Sequence, residues 1–304
     1  MDTLDTVIIG AGPAGMTAAI YAKRKGLSLA LVAVSVGGNM GLIGDLENYP
    51  GFDSVAGAKL VARMRDQLQR LGVSALVDRV AAVEKAPGGY AVRTEGRRSF
   101  EARSVVVASG SHWRELGVPG EREFVNRGVS FCSTCDAPLF RGMDVAVVGG
   151  GNRAAESVLE LTRIAAKVYV IVRSRLKADQ VTVDKIRGSD KVKVLEGYTV
   201  QRISGRDFVE AIEIVNITTG RSETLNVGGV FVEIGLDANT GFLKGLVRLN
   251  DRGEIVVDKG GHTSDPGIFA AGDVTDGLDK QVIVAAGEGA RAALSAYAYL
   301  NTLK

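Results

Sequence analysis

Apolar residues recur along this chain in two rhythms: short β-branched runs, and longer stretches in which they return every third or fourth position. Thr6–Ile9 is the first short run and reads as a buried parallel strand. It passes through Gly10-Ala-Gly-Pro-Ala-Gly15 into a helix from Met16 to about Lys25, closed by Gly26. Leu27–Ala33 is the next strand, and Gly37 to Phe52 a glycine-rich loop. Leu60, Val61, Met64, Leu68 and Leu71 mark one face of a helix over Ala56–Leu71, whose Arg63, Arg65 and Arg70 read as solvated surface. Short strands follow at Val80–Val83, Tyr90–Arg93 and Val105–Ala108, and the Gly- and Pro-containing stretch Gly110 to Glu121 reads as a linker.

The opening pattern then returns. Val145–Val148 is a strand, Gly149-Gly-Gly-Asn-Arg-Ala154 a turn, Ala155 to about Ile164 a helix, and Val168–Val172 a second strand. Short strands and turns continue to Thr224; Val230 to Gly235 is a strand, and Gly241 to Gly245 a second linker. Glu254–Val257 and Gly267–Ala271 read as strands before a last helix from about Val282 to Leu300. A strand, a tight glycine turn and a helix N-terminus form a cradle for a pyrophosphate, because unpaired N–H groups point at the anion. Two such cradles at domain spacing imply two dinucleotides. The C-terminal strands lack a cradle of their own and so complete the first domain. The expected fold is α/β, with two Rossmann-like nucleotide-binding domains, the second inserted in the first: residues 1–114 with 246–304, and 115–245. The strand after the first cradle ends in Ala33-Val-Ser35, without the acid that ordinarily holds a ribose hydroxyl.

Composition narrows the partners. The 304 residues are 46% hydrophobic and 24% charged, as in a soluble globular protein, and 37 basic against 35 acidic residues leave a net charge of +2. That balance gives no electrostatic case for nucleic acid or membrane. No apolar run approaches the ~20 residues of a membrane span, and Met1-Asp2 lead straight into a strand without a leader pattern. The cytoplasm is the expected location.

The only two cysteines stand together in Phe131-Cys-Ser-Thr-Cys-Asp136, with Pro138 just beyond, where a loop should become a helix. In a reducing compartment a Cys-x-x-Cys pair is more often catalytic than structural, and a helix N-terminus favours the reactive thiolate. Two inert buried cysteines, or half of a zinc site, are the bland alternatives. Zinc needs four ligands, and the only histidines, His112 and His262, show no ligand spacing with the pair. A redox dithiol without a metal is the better reading.

Taken together, these residues resemble the low-molecular-weight thioredoxin reductase family over essentially the whole chain. Gly10, Gly12, Pro13, Ala14 and Gly15 are similar to its FAD pyrophosphate loop, and Glu47-Asn48-Tyr-Pro-Gly51 to its flavin-domain loop, with Gly38 upstream. Ala108-Ser-Gly110 through Leu116-Gly-Val-Pro-Gly-Glu121 is similar to its first linker. Phe269-Ala-Ala-Gly272-Asp273-Val274, with Gln281 and Val282, is similar to the stretch that meets the flavin. Gly149, Gly151, Asn152, Arg153 and Ala154 match its nicotinamide-nucleotide cradle, and Cys132-Ser-Thr-Cys135-Asp136 precedes that cradle as the family requires. The resemblance implies that Cys135 takes electrons from FAD, Cys132 attacks the disulfide of thioredoxin or a thioredoxin-like protein, and Asp136 is the general acid. It also implies a homodimer, and rotation of the smaller domain, since a dithiol and a nicotinamide cannot share one face of one flavin.

One stretch departs from the family. Where His-Arg-Arg ordinarily holds the 2′-phosphate of NADPH, this chain reads Val172-Arg173-Ser-Arg175, with Lys177 beyond. Arg173 and Arg175 keep positive charge there, so NADPH is the expected donor, with NADH, a reduced ferredoxin or a deazaflavin as alternatives. Two other functions would share these motifs: an FAD-dependent dithiol oxidase acting on a small molecule, and a flavin redox sensor without turnover.

Overall fold

The computed structural model describes residues 3–303; Met1, Asp2 and Lys304, the outer ends of the expected first domain, lie outside them. Strand β1 (Leu4–Ala11) enters helix α1 (Pro13–Arg24) through the glycine turn, and β2 (Leu29–Val36) returns parallel to β1 with Leu31 opposite Ile8. Helix α2 (Gly57–Arg70) and β3 (Ala75–Val77) follow, then an antiparallel run of β4 (Val80–Ala86), β5 (Gly89–Thr94) and β6 (Ser99–Val107). Both faces of β1 are covered, which is why Val7, Ile8 and Ile9 are all apolar rather than alternating.

The chain then builds a separate unit. It comprises β7 (Val129–Ser130), the single-turn helix α3 (Ser133–Asp136), β8 (Asp144–Val148), α4 (Asn152–Leu161), β9 (Lys167–Val172), α5 (Gln180–Arg187) and β10 (Val192–Glu196). An antiparallel meander, β11 (Tyr198–Gly205), β12 (Val209–Asn216) and β13 (Ser222–Asn226), precedes β14 (Gly229–Val232). Its main sheet is wholly parallel, in the order β7-β14-β8-β9-β10.

On its return the chain adds β15 (Ile268–Ala270) and helix α6 (Val282–Thr302) to the first unit. The first sheet is thereby ordered β3-β2-β1-β6-β5-β4, with β15 parallel to the second half of β6. Small residues of α6 (Ala285, Gly289, Ala292, Ala293, Ala296) let it lie close against α1; a Cβ on Gly289 would strike the carbonyl of Ala14. The architecture is α/β with two Rossmann-like units, the second inserted in the first.

Several expected boundaries shift. The units divide after His112 and again after Leu236, rather than at 114 and 245. Phe242, Leu243, Leu246 and Val247, placed by the sequence in or beside a linker, pack into the first unit's core. The far half of the expected first linker is folded too: the buried carboxylate of Glu121 accepts the N–H groups of Leu116 and Gly117 at 2.8 and 2.7 Å. Strand β2 runs past Ala33 to Val36. Glu254–Val257 forms no strand, only isolated bridges at Ile255. Side chains take its neighbours' ladder donors: Asn250 Oδ1 accepts the Glu254 N–H at 3.0 Å, and Asp276 Oδ1 accepts that of Val257 at 3.2 Å.

Candidate redox-active site

Cys132 and Cys135 are joined as a disulfide. Cys132 is in extended conformation at the N-cap of α3, and its sulfur accepts the Cys135 N–H at 3.2 Å. That contact places a backbone donor on one sulfur of the pair, and a donor there favours the thiolate form of a reduced cysteine. Pro138 opens no part of this helix; it lies in the 3₁₀ turn Ala137–Phe140 just beyond. Trp113 stacks on Phe131, the residue before Cys132, at 5.3 Å between centroids.

Asp136 closes the turn. Its Oδ2 accepts the Ser130 hydroxyl at 2.6 Å, and Ser130 Oγ in turn accepts the Cys132 N–H at 3.1 Å. Burial raises the Asp136 pKa, and the Ser130 bond opposes that only in part. A carboxyl beside the dithiol is therefore biased toward its protonated form, the state a proton donor needs. On the opposite side of the turn Ser133 and Ser157 link to Glu160 and Glu233. Ser130, Ser133, Ser157 and Glu233 were not singled out by the sequence. Nothing in local spacing marks them: Ser130 meets Asp136 through the turn into α3, and Ser157 on α4 links Ser133 to Glu233.

The two glycine cradles can be tested for fit to their nucleotides. In the first unit Gly10 (φ +108°) turns the chain against the Ala108 carbonyl, and a Cβ on Gly15 would strike the Gly10 carbonyl. Gly12 differs: a Cβ there would find nothing nearer than 4.0 Å. Its open side lies at the N-terminus of α1, which has no side-chain cap. Gly38 sits beside Gly12, and Gly272 (φ +78°) against Ala14, so three distant glycines converge on that end of α1. Asn48 Nδ2 donates to Gln281 Oε1 at 3.2 Å, just before Val282 opens α6. Gly110 accepts the Asn239 N–H at 3.0 Å. Lys280 fixes the backbone around Asp273 through the Asp273 carbonyl at 3.3 Å. This open, glycine-lined helix end fits the pyrophosphate of FAD.

The second cradle repeats the design. Gly149 (φ +147°) backs onto the Glu233 carbonyl, Ala154 is buried, and a Cβ on Gly151 would meet nothing within 4 Å. Helix α4 also lacks a side-chain cap. The segment after β9 is held to this turn: the Lys177 N–H donates to the Gly150 carbonyl at 2.6 Å, and the Asp179 N–H to Asn152 Oδ1 at 3.0 Å. Arg173, Arg175 and Lys177 are exposed on it, and among the described residues none is in an ion pair. Arg153, also exposed, lies 3.8 Å from the buried Glu233.

Two nucleotide cradles and a Cys-x-x-Cys disulfide on one polypeptide are features of the pyridine nucleotide-disulphide oxidoreductase class. Residues 4–289 match the family model for pyridine nucleotide-disulphide oxidoreductases, and the chain belongs to that family, whose cofactors are FAD and NAD(P)H. It is similar to a thioredoxin reductase from Streptococcus pyogenes, with 40% identity, a TM-score of 0.92 and 99% of each chain covered. A thioredoxin reductase from Giardia duodenalis shares 32% identity at a TM-score of 0.93, covering 99% of this chain and 100% of that one. The F component of the alkyl hydroperoxide reductase of Staphylococcus aureus is 40% identical over 298 residues, 97% of this chain. The chain spans 59% of that relative's length.

Proposed function

We propose that the protein is a thioredoxin reductase: it carries electrons from a nicotinamide nucleotide to the disulfide of a thioredoxin-like protein through Cys132 and Cys135. The observation that carries this reading is the disulfide at the head of α3 with a protonation-biased Asp136 beside it. In this reading residues up to 112 and from 237 bind FAD through Gly10, Gly12, Pro13, Ala14, Gly15, Gly38, Asn48, Gly110, Gly272, Asp273, Gln281 and Val282. Residues 113–236 bind the nucleotide through Gly149, Gly151, Asn152, Arg153 and Ala154, with Arg173 and Arg175 on the 2′-phosphate of NADPH. FAD, when bound, supplies two-electron chemistry between the nucleotide and the dithiol.

The chain's own residues account for the exchange. The Cys132 thiolate, stabilised by the Cys135 N–H, attacks one sulfur of the partner disulfide. The partner's S–S bond breaks, a mixed disulfide forms on Cys132, and the leaving sulfur takes the Asp136 proton. Cys135 then gives its proton to the Asp136 carboxylate and attacks Cys132 Sγ, restoring the internal disulfide and releasing the second partner sulfur, which is protonated from water. The chain's dithiol is oxidised and the partner's disulfide reduced. Such a dithiol belongs in a reducing compartment, consistent with the cytoplasm; among the described residues no helix is long and apolar enough to cross a membrane.

The test is anaerobic reduction of the purified yellow protein by NADPH, NADH and reduced ferredoxin in turn, followed by steady-state reduction of a thioredoxin. Protein that stays colourless after FAD is added, or that is reduced by a donor but passes no electrons to any thioredoxin, overturns the reading. Oxygen consumption with a small dithiol substrate points to the oxidase instead.

A further inference from the structure

Glu233 stands just past β14 with its side chain only 6% exposed, and the exchange chemistry leaves it unused. Three oxygen–oxygen contacts connect it to the dithiol turn. Glu233 Oε1 lies 3.0 Å from Ser157 Oγ, Ser157 Oγ 2.9 Å from Ser133 Oγ, and Ser133 Oγ 2.8 Å from Glu160 Oε2. Each hydrogen bond requires one proton between its oxygens, and two hydroxyls bring only two. All three contacts are hydrogen bonds at once only when a carboxyl at one end of the chain carries the third; otherwise the Ser133 hydroxyl divides its one proton between Ser157 and Glu160. Glu233 is the buried end, and burial raises its pKa against the opposing pull of Arg153, Ser157 and the Ser133 N–H.

The placement gives that proton a consequence. Through Ser157 the carboxyl of Glu233 reaches the hydroxyl of Ser133, the residue bonded directly to Cys132. A carboxylate there is a like charge beside a forming thiolate and opposes it; a neutral carboxyl does not. We propose that the Glu233–Ser157–Ser133–Glu160 chain stores a proton at Glu233, and that loss of this proton restrains ionisation of the neighbouring cysteine. Glu233 is a positioning residue: it acts through Ser133 and touches no substrate. The other charged and titratable groups around the turn are Arg153 and Glu160 on α4, and Asp136, which faces Ser130.

The inference rests on Cys132 and Cys135 being a redox dithiol, but its test needs neither nucleotide nor partner. The full-length Cys135→Ser protein, in which Cys132 is the one thiol, is kept reduced and anaerobic and alkylated with iodoacetamide across the pH range in which thiols titrate. With Glu233 in place its rate should rise over a wider span than one titration allows, because the Cys132 thiol and Glu233 ionise as a coupled pair. Added to that variant, Glu233→Gln preserves hydrogen bonding and mimics the neutral acid. It should collapse the profile to a single titration lying at lower pH, by about one unit or tenfold in thiolate fraction. Ser157→Ala removes a bond that lowers the Glu233 pKa, so the second inflection should move to higher pH. A Glu233→Gln profile that superimposes on that of the Cys135→Ser parent overturns the proposal. Should that variant fail to fold, an unmoved Ser157→Ala profile overturns it equally. Wild-type cysteines that never re-form a disulfide after reduction would instead undo the redox reading beneath it.

Discussion

Ser130→Ala tests the acid role of Asp136 without touching the acid. The Ser130 hydroxyl donates to Asp136 Oδ2 at 2.6 Å and so favours the carboxylate. A hydrogen bond to a charged group contributes ~1.5–3 kcal/mol, and one pKa unit corresponds to ~1.4 kcal/mol. Asp136 is only partly buried, and water screens part of the loss, so a rise of about one unit is expected. A general acid works while protonated, and its rate falls as pH rises through its pKa. Removing Ser130 should therefore move the alkaline fall of the dithiol half-reaction to higher pH by about one unit, leaving the plateau near its wild-type height. The assay is the pH profile of disulfide reduction by pre-reduced enzyme, with melting temperature as the control for folding. Stability should follow the same linkage. A carboxyl whose folded-state pKa is raised contributes stability that is full below its unfolded value and lost as pH rises through the folded one. A shift to lower pH, or none in a well-folded variant, would refute the role assigned to Asp136.

Cys132→Ser should abolish thioredoxin reduction while flavin reduction by the donor survives, as followed by anaerobic bleaching; Cys135→Ser should abolish it as well and leave Cys132 alkylatable. Turnover of thioredoxin by either variant would break the assigned pathway. Replacing Arg173 and Arg175 together with Ala should raise the NADPH KM tenfold or more, from the loss of charge-assisted contacts of ~1.5–3 kcal/mol. It should barely alter any NADH activity, and equal effects on both nucleotides would remove the phosphate role. Gly289→Val forces a side chain against the Ala14 carbonyl, and overpacking of this kind costs ~1–3 kcal/mol. Thermal unfolding should show the loss, together with weaker retention of FAD, because α1 carries the first cradle.

The glycine cradles and the Cys-x-x-Cys were legible because their chemistry is local: a tight turn must use adjacent glycines, and a small disulfide ring must use near neighbours. The parallel strands were legible for a related reason, since burial on both faces leaves an unbroken apolar run, as in Val145–Val148. Glu254–Val257 misled because apolar β-branched residues declare burial, and Ile255 is indeed fully buried, but they do not declare pairing. Side chains of Asn250 and Asp276 took the donors that a ladder would have used. Ser130 and Glu233 were illegible for the opposite reason. Each is an ordinary polar residue at or just past a strand's end; Ser130 finds Asp136 only through the fold of the turn between them, and Glu233 finds Ser157 and Arg153 only through the packing of α4.

Glu233 meets the second cradle as well as the dithiol turn. Its N–H donates to the Val148 carbonyl at 2.8 Å, its own carbonyl backs Gly149, and its carboxyl group lies 3.8 Å from Arg153. One residue thus shares free energy with the nucleotide loop and with the cysteines, and such sharing is reciprocal. If a bound nucleotide draws Arg153 outward and so changes the ease of ionising Cys132, reduction of the disulfide must change nucleotide affinity by the same factor. Measured as two binding curves, one for each redox state, that single factor would express how far the nucleotide cradle and the dithiol turn of the second unit sense one another.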